Sequence, residues 1–133
     1  MSSIRKQFSK QYGGKLGNSI MYKVRVHICH YQQYKKITAI QSKDYAEDTD
    51  RYNSAMKWYE LIRSTLEEWR SMYPNDAAAV ADLYGLGDRV KQMSVNEVCM
   101  KHYYSSSTLY SVRHNFDLEI AFKAVKLGLI DIM

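Results

Sequence analysis

Residues 94–112 read SVNEVCMKHYYSSSTLYSV, and this stretch predicts two helices separated by a short turn. Ser94 and Glu97 have the spacing of a capping box, in which each side chain accepts a hydrogen bond from the backbone N–H of the other residue. We therefore expect a helix from Val95 to about His102. The three residues after it predict the turn.

The next helix is expected from Ser106 to about Leu127, with Ser105 as its N-cap and Gly128 as its terminator. Apolar residues recur at helical spacing along it and predict which side faces the core. The side chains expected to face inward near its start are Thr108, Leu109 and Val112. The side chains expected on its outer face are Ser106, Ser107, Tyr110, Ser111, Arg113 and His114.

Two helices joined in this way are typical of a helix-turn-helix, whose second helix enters the major groove of DNA. Small hydroxyl side chains let a helix approach the bases closely, and Arg113 is suited to a guanine or a phosphate. Lys101, Arg89, Lys91 and the N-terminal bases are expected to neutralise nearby phosphates. The alternative is the polar side of an ordinary core helix, with no ligand.

Two more helices are predicted in the N-terminal half. The first begins after Gly17, with Asn18 or Ser19 as its N-cap, and the second extends from about Asp50 to Tyr73 and ends at Pro74. The second helix carries a heptad seam, which needs a partner helix. That partner is either the first helix, folded back as an antiparallel hairpin, or a second chain in a homodimer.

The predicted fold is therefore all-α, with an N-terminal helical hairpin followed by a C-terminal helix-turn-helix with a long last helix. We divide the chain into a flexible basic arm (1–15), the hairpin (16–74) and the DNA-binding region (75–133). A short helix from Ala77 to about Tyr84, capped by Asp76, begins the last region.

The charge of the chain is unevenly distributed. Residues 1–43 contain nine bases and no acid, whereas the remainder contains ten bases and all fourteen acids. A basic segment of this kind favours contact with a polyanion, although a solvated basic face has the same composition.

Several other classes of protein are disfavoured. No phosphate loop, nucleophile elbow or HExxH motif is present, so we expect no enzyme and no cofactor. A metal site would require distant residues to meet, and none is expected; the available ligands are His27, Cys29, His30, Cys99 and His102. Two cysteines, no secretion signal and no apolar stretch of membrane-spanning length predict a cytoplasmic protein without membrane contact.

The run from Glu97 to Val112 resembles the helix-turn-helix of sigma-factor region 4. In particular, it is similar to the RinA/ArpU-type late transcription regulators of phages and prophages. The segment Cys29–Ile37 and the tail Leu127–Ile130 are similar to the corresponding parts of that family. The resemblance implies a small all-helical activator of late genes in a bacterial host, which binds double-stranded DNA and contacts RNA polymerase.

Two other functions fit the same pattern of helices. A small terminase subunit for DNA packaging also combines a helix-turn-helix with a helical hairpin, and it assembles as a ring. A protein-interaction module would instead use the heptad helix as its binding surface and bind no nucleic acid.

Overall fold

A computed structural model describes residues 2–39, 49–87 and 91–130 of the chain. Within these ranges it contains seven α-helices and no strand, which confirms the all-α prediction. The helices are α1 (Ser2–Gln11), α2 (Gly14–Cys29), α3 (Tyr31–Ala39), α4 (Thr49–Met72), α5 (Pro74–Tyr84), α6 (Val95–His102) and α7 (Ser106–Lys126).

The bounds of α4, α6 and α7 agree with the sequence prediction to within about a residue. The capping box of α6 is present, since the Glu97 N–H donates to Ser94 Oγ at 3.2 Å and the Ser94 N–H donates to Glu97 Oε1 at 3.2 Å. Gly128 lies just beyond α7 with a φ of 71°, the left-handed conformation that glycine adopts at low cost.

The prediction of a flexible arm over residues 1–15 is wrong for the greater part of that segment, because residues 2–11 form α1. Phe8 and Tyr12 are buried, and both rings pack against Phe122 of α7 at centroid distances of 5.5 and 6.1 Å. The tertiary contact of these two aromatic rings stabilises a helix whose composition alone indicates disorder.

The first predicted helix is two helices, and it begins earlier than expected. Helix α2 begins at Gly14 with Gly13 as its N-cap, so neither Asn18 nor Ser19 caps it. Helical geometry is interrupted at His30, and α3 follows from Tyr31. The interruption lets α3 pack against the first half of α4, where the Tyr31 and Tyr59 rings stack at 5.3 Å.

The main core is built around α4, whose heptad seam is filled by helices of the same chain. Ala55, Ile62, Leu66 and Trp69 of the seam are all buried. The Trp69 ring meets Phe116 of α7 edge-on at 5.3 Å. This burial explains the heptad spacing without a second chain.

A smaller core joins α5, α6 and the start of α7. Its fully or nearly buried members are Ala79, Leu83, Met93, Val98 and Leu109, with Val95, Cys99 and Tyr104 packed against them. The prediction that Asp76 caps α5 is wrong, since the helix begins with Pro74 after Tyr73 and has no side-chain cap. The Asp76 carboxylate instead accepts a hydrogen bond from the Tyr104 hydroxyl, which fixes the turn before α7.

Candidate nucleic-acid interface

The first turn of α7 is open to solvent. Ser105 caps the helix, and its Oγ accepts from the Thr108 N–H at 3.2 Å. Ser105, Ser106 and Ser107 are exposed, while Leu109 and Val112 are buried as predicted. Thr108 was expected to face inward but is exposed, because its hydroxyl accepts from Ser105 Oγ at 2.9 Å at the helix end. The first turn therefore presents four hydroxyl side chains.

The turn between α6 and α7 is held on one side and exposed on the other. Tyr104 packs on the smaller core, and burial together with its hydrogen bond to Asp76 raises its pKa to about 12. Tyr103 ends α6 in the left-handed conformation, with a φ of 60°, and its side chain is 93% exposed. A bulky residue in that conformation is strained by about 1 kcal/mol or more, which glycine would avoid.

The second turn of α7 is flanked by the N-terminal helices. The Arg5 guanidinium of α1 donates to the Ser111 carbonyl at 3.1 Å, to its hydroxyl, and to Asn115 Oδ1 at 3.0 Å. Arg25 Nη2 of α2 lies 3.4 Å from His114 Nδ1. Ser111, Arg113 and His114 are consequently half-buried, so the outer face predicted for α7 is fully open only over its first turn and at Tyr110.

Basic side chains from these three helices surround one groove of about 500 Å³. Its lining residues are Arg5, Arg25, Ser107, Tyr110, Ser111, Arg113 and His114. The Arg113 guanidinium lies 5.2 Å from the centre of the Tyr110 ring, within cation–π range. Burial and the charges of the three arginines lower the pKa of His114. The groove is therefore lined by three arginine side chains that act on one imidazole.

A buried carboxylate holds one side of this groove in place. Asp117 is fully buried, accepts from Arg25 Nε at 2.9 Å and accepts from the Tyr84 hydroxyl at 2.7 Å. Burial raises the pKa of Asp117, although the hydrogen bonds from Arg25 and Tyr84 oppose that shift. The acid directs Arg25 toward the groove and takes no part in the exposed surface.

The predicted phosphate contacts outside α7 have different surroundings. Lys101 donates to Asp82 Oδ2 at 2.8 Å, and His102 Nε2 lies 2.7 Å from the same oxygen. Burial alone would raise the pKa of Asp82, but the hydrogen bonds and charges of Lys101 and His102 outweigh burial and lower it. Lys101 is thus partly neutralised, Lys91 is exposed, and Arg89 lies outside the described residues.

The structure does not bring the histidines and cysteines together. His27 stacks on Trp58 at 3.9 Å, and burial lowers its pKa, with a further contribution from His30. Cys29 is exposed on α2, whereas Cys99 packs against the smaller core. In the described ranges no three His, Cys, Asp or Glu side chains form a group that would hold a metal ion.

The sequence predicts that the N-terminal bases contact phosphate, but it does not single out Arg5 and Arg25 as members of the site. The available signal was the spacing of Arg5, Phe8 and Tyr12 at three and four residues, which is one face of a helix. For Arg25, the signal was its place beside the buried Val24 in a segment without acids.

Comparison with models of protein families gives no match, and comparisons with curated proteins and with solved structures give none either. Among the helices that the structure describes, none combines the length and apolar character needed to cross a bilayer.

Proposed function

We propose that this protein is a sequence-specific DNA-binding protein whose α6 and α7 act as a helix-turn-helix. The observation that carries the proposal is the open first turn of α7, where four hydroxyl side chains project beside a cationic groove. Hydroxyls bond to bases or phosphates, and arginines bond to guanine or phosphate. The surface thus combines groups for base contact with groups for backbone contact.

The packing beneath this surface supports the same proposal. The smaller core fixes α6 against α7 through Val98 and Leu109, both fully buried. The Tyr104–Asp76 hydrogen bond then fixes the turn. A rigid support of this kind holds the exposed end of α7 in one orientation, which base recognition requires.

A transcription regulator is the finer form of the proposal. The resemblance of residues 97–112 to the RinA/ArpU-type run implies activation of phage or prophage late genes in the cytoplasm of a bacterial host. It also implies a contact with RNA polymerase. Selection of bound duplexes from a random pool tests whether binding is sequence-specific. A regulator enriches one sequence motif, whereas a general DNA-binding protein enriches none.

We expect Arg113→Ala to weaken binding to the selected duplex by about 1–3 kcal/mol, the range for loss of a charge-assisted hydrogen bond to the duplex. Arg113 borders the groove and stacks on Tyr110, so its guanidinium is held next to the open turn. Fluorescence anisotropy with the labelled duplex measures the change.

The matched control is Arg70→Ala, which removes the same charge from an exposed position on α4 outside the groove. We expect this control to bind within about twofold of the unmodified chain, since a distant surface charge contributes little. Equal affinities for the two variants would contradict the role of Arg113.

A further inference from the structure

We infer that α1, α2 and α7 together form a phosphate-binding groove that holds a backbone phosphate of the bound duplex. This inference rests on the proposed DNA-binding function and adds Arg5 of α1 and Arg25 of α2 to the interface predicted on α6 and α7. Arg5, Arg25, Arg113 and His114 line the groove, and each of the three helices contributes at least one of them.

The charges of the groove are only partly balanced by the protein, since Asp117 pairs with Arg25 and acts on Arg113 at longer range. Asp117 is the acid paired with Arg25, and it is shared with Tyr84. Arg5 donates to neutral oxygens of Ser111 and Asn115. In the described part of the chain no carboxylate lies within ion-pair distance of Arg5 or Arg113. Converging like charges are unfavourable unless an anion occupies the space between them.

Arg113 retains hydrogen-bonding capacity toward a ligand. Its Nε atom is buried and has no hydrogen-bond partner among the described residues. The Arg113 guanidinium lines the groove without a hydrogen bond or ion pair to another described residue, so its Nη donors are the ones that a phosphate oxygen in the groove would reach. Arginine suits this ligand because its planar guanidinium matches the geometry of phosphate oxygens.

The direction of α1 places the groove beside the open end of α7. Arg5 contacts Ser111 and Asn115, whereas the later residues Phe8 and Tyr12 contact Phe122. The two helices therefore run parallel and begin at the same end of the molecule. A duplex that receives the first turn of α7 would bring its phosphate strand toward the groove.

Inorganic phosphate tests the groove without DNA, with the His114 imidazole as the reporter. His114 is surrounded by Arg5 of α1, Arg25 of α2 and Arg113 of its own helix, and Arg25 is in turn paired with Asp117. A bound anion favours the charged imidazole, so saturating phosphate should raise the pKa of His114 by about one unit in an NMR titration, relative to chloride at equal ionic strength. An unchanged His114 titration would overturn the inference.

Arg5→Gln tests the groove with DNA, since the glutamine amide retains a donor for Ser111 but carries no charge. We expect about tenfold weaker binding on every duplex and a salt slope smaller by about one, with Arg70→Ala unchanged as the control. An Arg5→Gln variant that binds like the control would overturn the groove. If phosphate shifts His114 while no duplex binds, the groove stands and the proposed DNA-binding function fails.

Discussion

Asp117→Ala is expected to lower the free energy of unfolding by about 3 kcal/mol, because it breaks a buried ion pair. The carboxylate is fully buried and accepts hydrogen bonds from Arg25 and Tyr84. Its removal leaves two donors without an acceptor. This loss of stability lies at the lower end of the range for breaking a buried ion pair. The Arg25 side chain is 39% exposed, so water hydrates its guanidinium once the carboxylate is gone.

Urea unfolding measures this change, and Glu67→Ala provides the matched control. Glu67 pairs with Arg63 on the surface of α4 and is 58% exposed, so its loss should cost no more than about 1 kcal/mol. Losses of equal size in the two variants would contradict the buried network around Asp117.

The same carboxylate gives the stability a pH dependence of known sign. Because burial raises the pKa of Asp117 in the folded chain, the folded state retains a proton that the unfolded state releases. The contribution of Asp117 to stability should therefore grow as the pH falls from above the folded pKa toward the unfolded value of about 4. Asp117→Asn, which cannot ionise, should lack this contribution in the same unfolding experiments.

Gly17→Ala is expected to displace α1 and to lower the free energy of unfolding by about 1–3 kcal/mol, as overpacking does. A methyl group at Gly17 would lie 2.0 Å from the Tyr12 carbonyl oxygen and 3.3 Å from the Phe8 ring. The carbonyl belongs to the backbone, so the connection between α1 and α2 has to move. Amide exchange of residues 5–12 should become faster, and affinity for DNA should fall with it.

Gly87→Ala is the matched control for this substitution, because no atom lies within 4 Å of the position its methyl group would take. It should leave the exchange of α1 and the affinity for DNA unchanged. Unaltered exchange of residues 5–12 in the Gly17→Ala variant would show that α1 does not depend on this close contact.

The parts of the fold that the sequence predicts are those specified by local signals. The capping box at Ser94 and Glu97 and the N-cap at Ser105 each act within one helical turn, so the starts of α6 and α7 follow from a few neighbouring residues. The heptad seam likewise predicts α4. These signals need no knowledge of what the helices pack against.

The parts that the sequence does not predict depend on distant contacts. Helix α1 has a polar composition and forms because Phe8 and Tyr12 reach Phe122 of α7, more than a hundred residues further along the chain. The spacing of Phe8 and Tyr12 indicates a helical face but not the helix on which that face packs.

In the candidate site, too, some features follow from local sequence signals and others depend on distant contacts. Exposure of Ser105, Ser106 and Ser107 follows from the predicted helix and its apolar side. The partial cover of Ser111 and His114, and the entry of Arg5 and Arg25 into the site, require the positions of α1 and α2. The excess of bases in residues 1–43 indicated a polyanion, but not where on the molecule it would bind.

Binding of a labelled random-sequence duplex, measured from roughly 50 to 200 mM salt, tests the central claim most directly. If α7 and the groove contact about four phosphates, affinity should fall about a hundredfold over this range, with a linear plot of log K against log salt concentration. Binding that does not depend on salt, or no binding to any duplex at roughly 50 mM salt, would contradict the claim that this surface binds DNA.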